Sequence, residues 1–183
     1  TTEEFFMQNT MSKKVLFLVQ SAAIAAIYTV LTYIAAAMNL AYNAVQFRFS
    51  EALTILPVFT PAAIPGLTLG CFLSNLASPL GPIDWICGSA ATLLAAVAGY
   101  LARNVRIAGL PMVSALCPVL ANALIIGLEI GWLAVPGGGM DLAAFLSGAL
   151  SVGIGELVVV AVLGLPLAAS LERTGASRRI FSC

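Results

Sequence analysis

Charge is absent from the chain between Lys14 and Arg48, between Glu51 and Asp84, between Arg106 and Glu129, and again between Glu156 and Glu172. The hydrocarbon core of a bilayer takes about 20 apolar residues per helix, and most of these silent runs approach or exceed that length. The short alternating strands of a membrane barrel, about 10 residues each, are not the pattern. The pattern predicts an all-α integral membrane protein with helices near 15–38, 49–60, 62–77, 84–102, 110–132 and 142–171.

The stretch 46–81, QFRFSEALTILPVFTPAAIPGLTLGCFLSNLASPLG, decides the topology. Pro57, Pro61 and Pro65 each lack a backbone donor and disfavour helix at the residue before them, so the chain is expected to break between Thr60 and Pro65. Two short helices then replace one long one. With two, Lys13, Lys14, Arg103, Arg106, Arg173, Arg178 and Arg179 fall on one side of the membrane and Arg48 alone on the other. With one, the later signs invert. The positive-inside rule selects six transmembrane helices with both termini cytoplasmic.

The corresponding division is a cytoplasmic leader over 1–14, disordered over its first ten residues, a six-helix transmembrane domain over 15–172, and a basic cytoplasmic tail over 173–183. The first apolar run follows Lys13 and Lys14 and lacks a cleavage site, so it is expected to remain as a span. Outer loops fall at 39–46, 78–83 and 133–141, the last made mobile by Gly137, Gly138 and Gly139.

Composition agrees: 61% of the 183 residues are hydrophobic and 9% charged, against roughly a half and a quarter in soluble domains. Histidine is absent, which removes the commonest general base, and Cys71, Cys87, Cys117 and Cys183 show no metal-ligand spacing. No phosphate-cradling glycine loop is present, and zero net charge gives no footprint for nucleic acid. Neither a selectivity filter nor a charged ring argues for a channel.

Ionisable groups within the membrane are expensive and therefore functional suspects. Glu156 lies near the bilayer middle and is the foremost of them, either a ligand acceptor or a structural hydrogen bond between helices. Glu129, near the outer end of its helix, shares a face with Asn122 and lines an outward cavity or rests solvated at the interface. Arg48 and Glu51 are spaced to pair on a helix, as ligand contacts or as an orienting ion pair. Asn75, Asp84 and Trp85 gather at the same outer level, with Ser89 and Thr92 following Trp85 at helical spacing and Tyr42 and Asn43 in the first outer loop. Tryptophan there is a belt residue or a stacking wall for a planar heterocycle. On the first helix, Ser21, Ala25 and Thr29 form one small-residue ridge and Ala22 and Ala26 the next, suited to close packing inside the chain or against another subunit.

The segments VQFRFSEALTILPVFTPAAIPGLTLGCFLSNL and GPIDWICGSAATLLAAVAGYL resemble the queuosine-precursor transporter family of the QueT type, substrate-binding S components of energy-coupling factor (ECF) transporters. The resemblance extends over roughly 15–171. It implies a six-helix bundle that takes its solute from outside and docks on a module of one transmembrane coupling protein and two ATPases. In that family picture Ser21, Ala22, Ala25, Ala26 and Thr29 face the coupling protein, and no cofactor belongs to this chain. The implied ligand is a 7-deazaguanine, queuine or an earlier precursor base, whose amidine-like edge meets Glu156 or Glu129. Arg48, Glu51, Asn75, Asp84, Trp85, Asn122, Glu129 and Glu156 are the expected lining. Rival readings keep the architecture for biotin, riboflavin or thiamine, or make the chain a small intramembrane enzyme with Glu156 and Asp84 as acid and base.

Overall fold

The proline-punctuated stretch folds as a hairpin of unequal helix types. The computed structural model describes residues 2–41 and 46–181. Helix α1 (Thr2–Ala37) leads to a ten-residue 3-10 helix (Phe49–Val58), which is followed by α2 (Ala63–Asn75). Beyond them run α3 (Pro82–Leu101), α4 (Met112–Leu133) and α5 (Leu142–Val159). A π-helical turn (Val160–Gly164) joins α5 to α6 (Leu165–Arg173), and α7 (Ala176–Ile180) closes the described chain. Tyr42 and Asn43, expected in the first outer loop, lie outside the described residues.

A 3-10 helix this long is uncommon, because its hydrogen bonds are poorly aligned. Here it is held from all sides: Ser50, Glu51, Ala52, Thr54, Ile55, Leu56 and Pro57 are all buried. Backbone of irregular geometry is tolerated at membrane depth when protein surrounds it. The 3-10 helix runs antiparallel to α1, with Thr60 Oγ1 donating to Gln20 Oε1 (3.3 Å) at one end and Thr32 Oγ1 to Ser50 Oγ (2.7 Å) at the other. Helix α2 then returns parallel to α1, since Ser21 Oγ donates to Ala62 O (2.9 Å) and Tyr33 Oη to Leu73 O (3.1 Å). At 2.0 Å per residue for the 3-10 helix and 1.5 Å for α2, each leg covers about 20 Å, short of a full crossing.

Four segments are long and apolar enough to cross a membrane: Ser12–Ala37, Pro82–Leu101, Met112–Leu133 and Leu142–Arg173. The short hairpin sits among them. Gln20 Nε2 donates to Ile180 O (2.7 Å) and Phe59 stacks on Phe181 at 6.4 Å, so α7 folds back to the end of the bundle where α1 enters. Arg106 and Glu172 pair there at 2.6 Å. Both chain ends therefore reach the same end of the bundle.

Three expectations are corrected. The leader is helical from Thr2, in one unbroken helix with α1. The 49–60 segment is 3-10 rather than α, with Pro57 inside it. The final helix is not uniform: Pro166 offers no donor to the turn before it, and the ladder there widens into the π-helical turn over Val160–Gly164.

Of the small residues on α1, Ser21, Ala25 and Thr29 face α2. A methyl at Gly66 would come 2.8 Å from Ser21 O, and one at Gly70 3.0 Å from Ala25 O. In lipid such contact, not the hydrophobic effect, drives helices together. Ala22 and Ala26 stay exposed. Helices α4 and α5 meet in the same way, Gly127 so close to Ala149 that an added methyl would stand 2.8 Å from its Cβ.

Candidate functional site

That glycine-mediated approach brings Asn122 of α4 opposite Glu156 of α5, and Asn122 Nδ2 donates to Glu156 Oε1 at 3.0 Å. Glu51, on the 3-10 helix, accepts a short hydrogen bond from the fully buried Tyr28 Oη. Glu51 and Glu156 line the same cavity. Three elements thus converge on one acidic centre inside the bundle.

Arg48 stands beside it. The residue precedes the 3-10 helix in extended geometry, so its side chain points across the bundle and not along a helix face. Its Nη1 donates to Asn75 Oδ1 (3.1 Å), its Nε to Ala41 O (3.4 Å), and its Nη2 lies 4.0 Å from Asp84 Oδ2. Asn75 in turn donates through Nδ2 to Asp84 O (3.1 Å), tying the end of α2 to the start of α3. Arg48 has Asp84 as an ion-pair partner, and Glu51 takes Tyr28.

A small cavity of about 20 Å³ opens among Arg48, Glu51, Thr92, Asn122 and Glu156, with Gln46, Cys71, Gly88, Ile126 and Val152 completing the wall. That is room for about one water, and the rest of the space is filled by the site's own side chains. Gln46 forms one side because Gly155, adjacent to Glu156, lets the Gln46 backbone rest directly on α5.

Of the eight residues singled out in the sequence, Arg48, Glu51, Asn122 and Glu156 line this cavity. Asn75 and Asp84 stand behind Arg48 and hold it. Glu129 and Trp85 lie off the lining: Glu129 shares the face of Asn122 but sits one turn beyond Ile126, and Trp85 is half-buried. Thr92, two turns beyond Trp85, reaches the cavity where Trp85 does not. Tyr28 escapes a sequence reading because a single hydroxyl in an apolar run looks like a belt residue. Gly88 and Gly155 escape because close approach leaves no mark in hydropathy.

Chemically, the cavity offers carboxyl acceptors on one side and guanidinium and amide donors on the other. A ligand that carries adjacent N–H donors and a carbonyl acceptor on one planar edge meets both. Among the described residues no cluster of histidine, cysteine or acid suits a metal ion.

A multi-pass helical bundle enclosing a buried polar centre is the build of a membrane transport component. The family model described as QueT transporter matches residues 18–173, most of the chain, and the chain belongs to the QueT transporter family. Over 84 residues it is 34% identical to the queuosine precursor transporter QueT of Lactococcus lactis subsp. cremoris (strain MG1363), a match covering 46% of this chain and 49% of that protein. The chain therefore spans about half the length of the curated relative in this match. No solved structure matches. Membership, together with four helices long and apolar enough to cross a membrane, makes the chain a multi-pass plasma-membrane protein.

Proposed function

We propose that this chain is the substrate-capture subunit of an ATP-driven ECF importer, binding a 7-deazaguanine queuosine precursor from the outside and passing it inward. The observation that carries the reading is the Glu51–Glu156–Asn122 centre facing Arg48, set inside a chain of the QueT transporter family. A guanine-like edge presents N–H donors beside a carbonyl. The carboxyls accept from the donors and the guanidinium or amide donates to the carbonyl, the pairing that makes carboxylates and arginine good readers of base edges.

In this reading six helices span the membrane with both termini cytoplasmic, which puts Lys13, Lys14, Arg103, Arg106 and Arg173 inside and Arg48 outside. A bicyclic base is larger than the present cavity, so binding requires the segment carrying Gln46 and Arg48 to withdraw from α5 and close again over the ligand. Ala22 and Ala26, exposed on α1, are the small residues left for a coupling subunit; Ser21, Ala25 and Thr29 support that face through α2. The two ATPases belong to that partner module. Copurification of a transmembrane coupling protein and two ATPases with the chain is the expected result in its native membrane, and Ala22→Leu with Ala26→Leu is expected to abolish it.

The direct test is titration of the purified chain with a panel of 7-deazaguanines, biotin, riboflavin and thiamine. A specific ligand also raises thermal stability by mass action. Glu156→Gln is expected to lower deazaguanine affinity by roughly ten- to a hundredfold, the worth of a charge-assisted hydrogen bond, with folding retained. Unchanged affinity would remove Glu156 from the site, and saturable binding of a vitamin in place of the base would change the solute.

A further inference from the structure

Glu129 is 4% exposed, and both of its carboxylate oxygens are buried with no hydrogen-bond partner. Leaving a carboxylate in that state is costly, and native folds rarely do so without a function. Asp84 repeats the pattern: it is 1% exposed, its Oδ2 has no hydrogen-bond partner, and the nearest guanidinium nitrogen of Arg48 is 4.0 Å away. Asp84 sits in the first turn of α3 and Glu129 near the end of α4, each buried within the bundle. Neither acid lines the cavity around Glu156.

The bundle thus holds Glu51, Asp84, Glu129 and Glu156 against one interior cation, Arg48. Of these, Glu129 and Asp84 stand one turn along their helices from Ile126 and Gly88 of the cavity wall, within reach of a substituent projecting from a ring held by Glu156 and Glu51.

We propose that Glu129, seconded by Asp84, forms a separate subsite that receives a protonated amine on the ligand's side arm, so that the transporter selects cationic 7-deazaguanines over neutral ones with the same ring. The inference rests on the function proposed above and adds the charge of the solute and the residue that reads it. Glu129 acts on specificity. The ring is bound elsewhere.

The test is calorimetric titration of the intact chain in detergent with two probes, 7-aminomethyl-7-deazaguanine and 7-cyano-7-deazaguanine, for the wild type and for Glu129→Gln. The wild type is expected to prefer the amine, and Glu129→Gln to weaken the amine by roughly ten- to a hundredfold, the range of a charge-assisted hydrogen bond, with nitrile affinity unchanged. A merely structural role would lower both affinities together, and that result overturns the subsite, as does a variant that still prefers the amine to the full extent. Glu156→Gln in the same experiment is expected to weaken both probes alike. If neither probe binds the wild type, the reading of the chain as a deazaguanine carrier fails and the subsite falls with it; if both bind and the preference ignores Glu129, the subsite alone fails.

Discussion

Gly155→Ala is expected to remove most of the ligand affinity while leaving the helices intact. A methyl on residue 155 would overlap the Gln46 carbonyl oxygen and stand 3.0 Å from its carbonyl carbon. Both atoms are backbone, so no side-chain rotation relieves the contact. Either α5 or the segment over 46–48 must move, and that segment carries Arg48 into the cavity whose opposite wall includes Glu156. Overpacking of this kind costs about 1–3 kcal/mol. Alanine is the better helix former by roughly 1 kcal/mol, which offsets part of the loss in the helix itself but does nothing for the displaced loop.

The expected signature is therefore a split: a melting temperature near that of the wild type, and affinity for the base reduced by up to about a hundredfold as the strain falls on the bound geometry. Gly153→Ala is the control, because a methyl there meets only Ala123 Cβ, at 3.3 Å, and the neighbour needs to give by a few tenths of an ångström. Titration of both variants alongside the wild type decides the matter. Wild-type affinity in Gly155→Ala would show that the 46–48 segment is not part of the binding wall.

Hydropathy made the long helices legible because lipid demands a long apolar run, and nothing else in the chain looks like α3 or α4. It located the break at the prolines for the same reason that the break exists: three missing donors cannot be hidden in a continuous helix. It did not reveal that the leg before the break is a 3-10 helix at the centre of the bundle. That outcome depends on neighbours covering Ser50, Glu51 and Thr54, and coverage is a tertiary property. The hairpin is accordingly too short to cross alone yet too buried to sit outside.

The buried polar residues were visible as a set, since charge in an apolar run announces itself. Their partition was not. Helical spacing suggested that Arg48 meets Glu51 and that Asn122 and Glu129 act together. What spacing leaves out is that Arg48, ahead of the helix, reaches Asn75 and Asp84, and that Asn122 donates to Glu156. Spacing along one helix limits which residues share a face, but partners across helices are chosen by the glycine contacts, and those are silent in the sequence. The same contacts explain why Ser21, Ala25 and Thr29 turn inward to α2 whereas Ala22 and Ala26 remain exposed.

Arg48→Met is expected to cause the largest loss of stability of any single change at the site. Asp84 is 1% exposed and Asn75 is fully buried; without the guanidinium the Asp84 carboxylate loses its counterion and Asn75 Oδ1 its donor. Removing one partner of a buried ion pair costs about 3–5 kcal/mol, because the other charge stays where water cannot reach it. For a chain of this size that corresponds to a fall of roughly 6–20 °C in melting temperature. Adding Asp84→Asn to Arg48→Met removes the stranded charge, so the double variant is expected to melt well above the single one even though two polar contacts are now missing. A double-mutant cycle measures the coupling directly, and an additive result, with the double variant the least stable of all, would show that Asp84 is not held by Arg48. Recovery of stability without recovery of ligand affinity separates the two tasks of the arginine. Asp84 needs it as a counterion, and in the proposed function the ligand takes it as a donor facing Glu156.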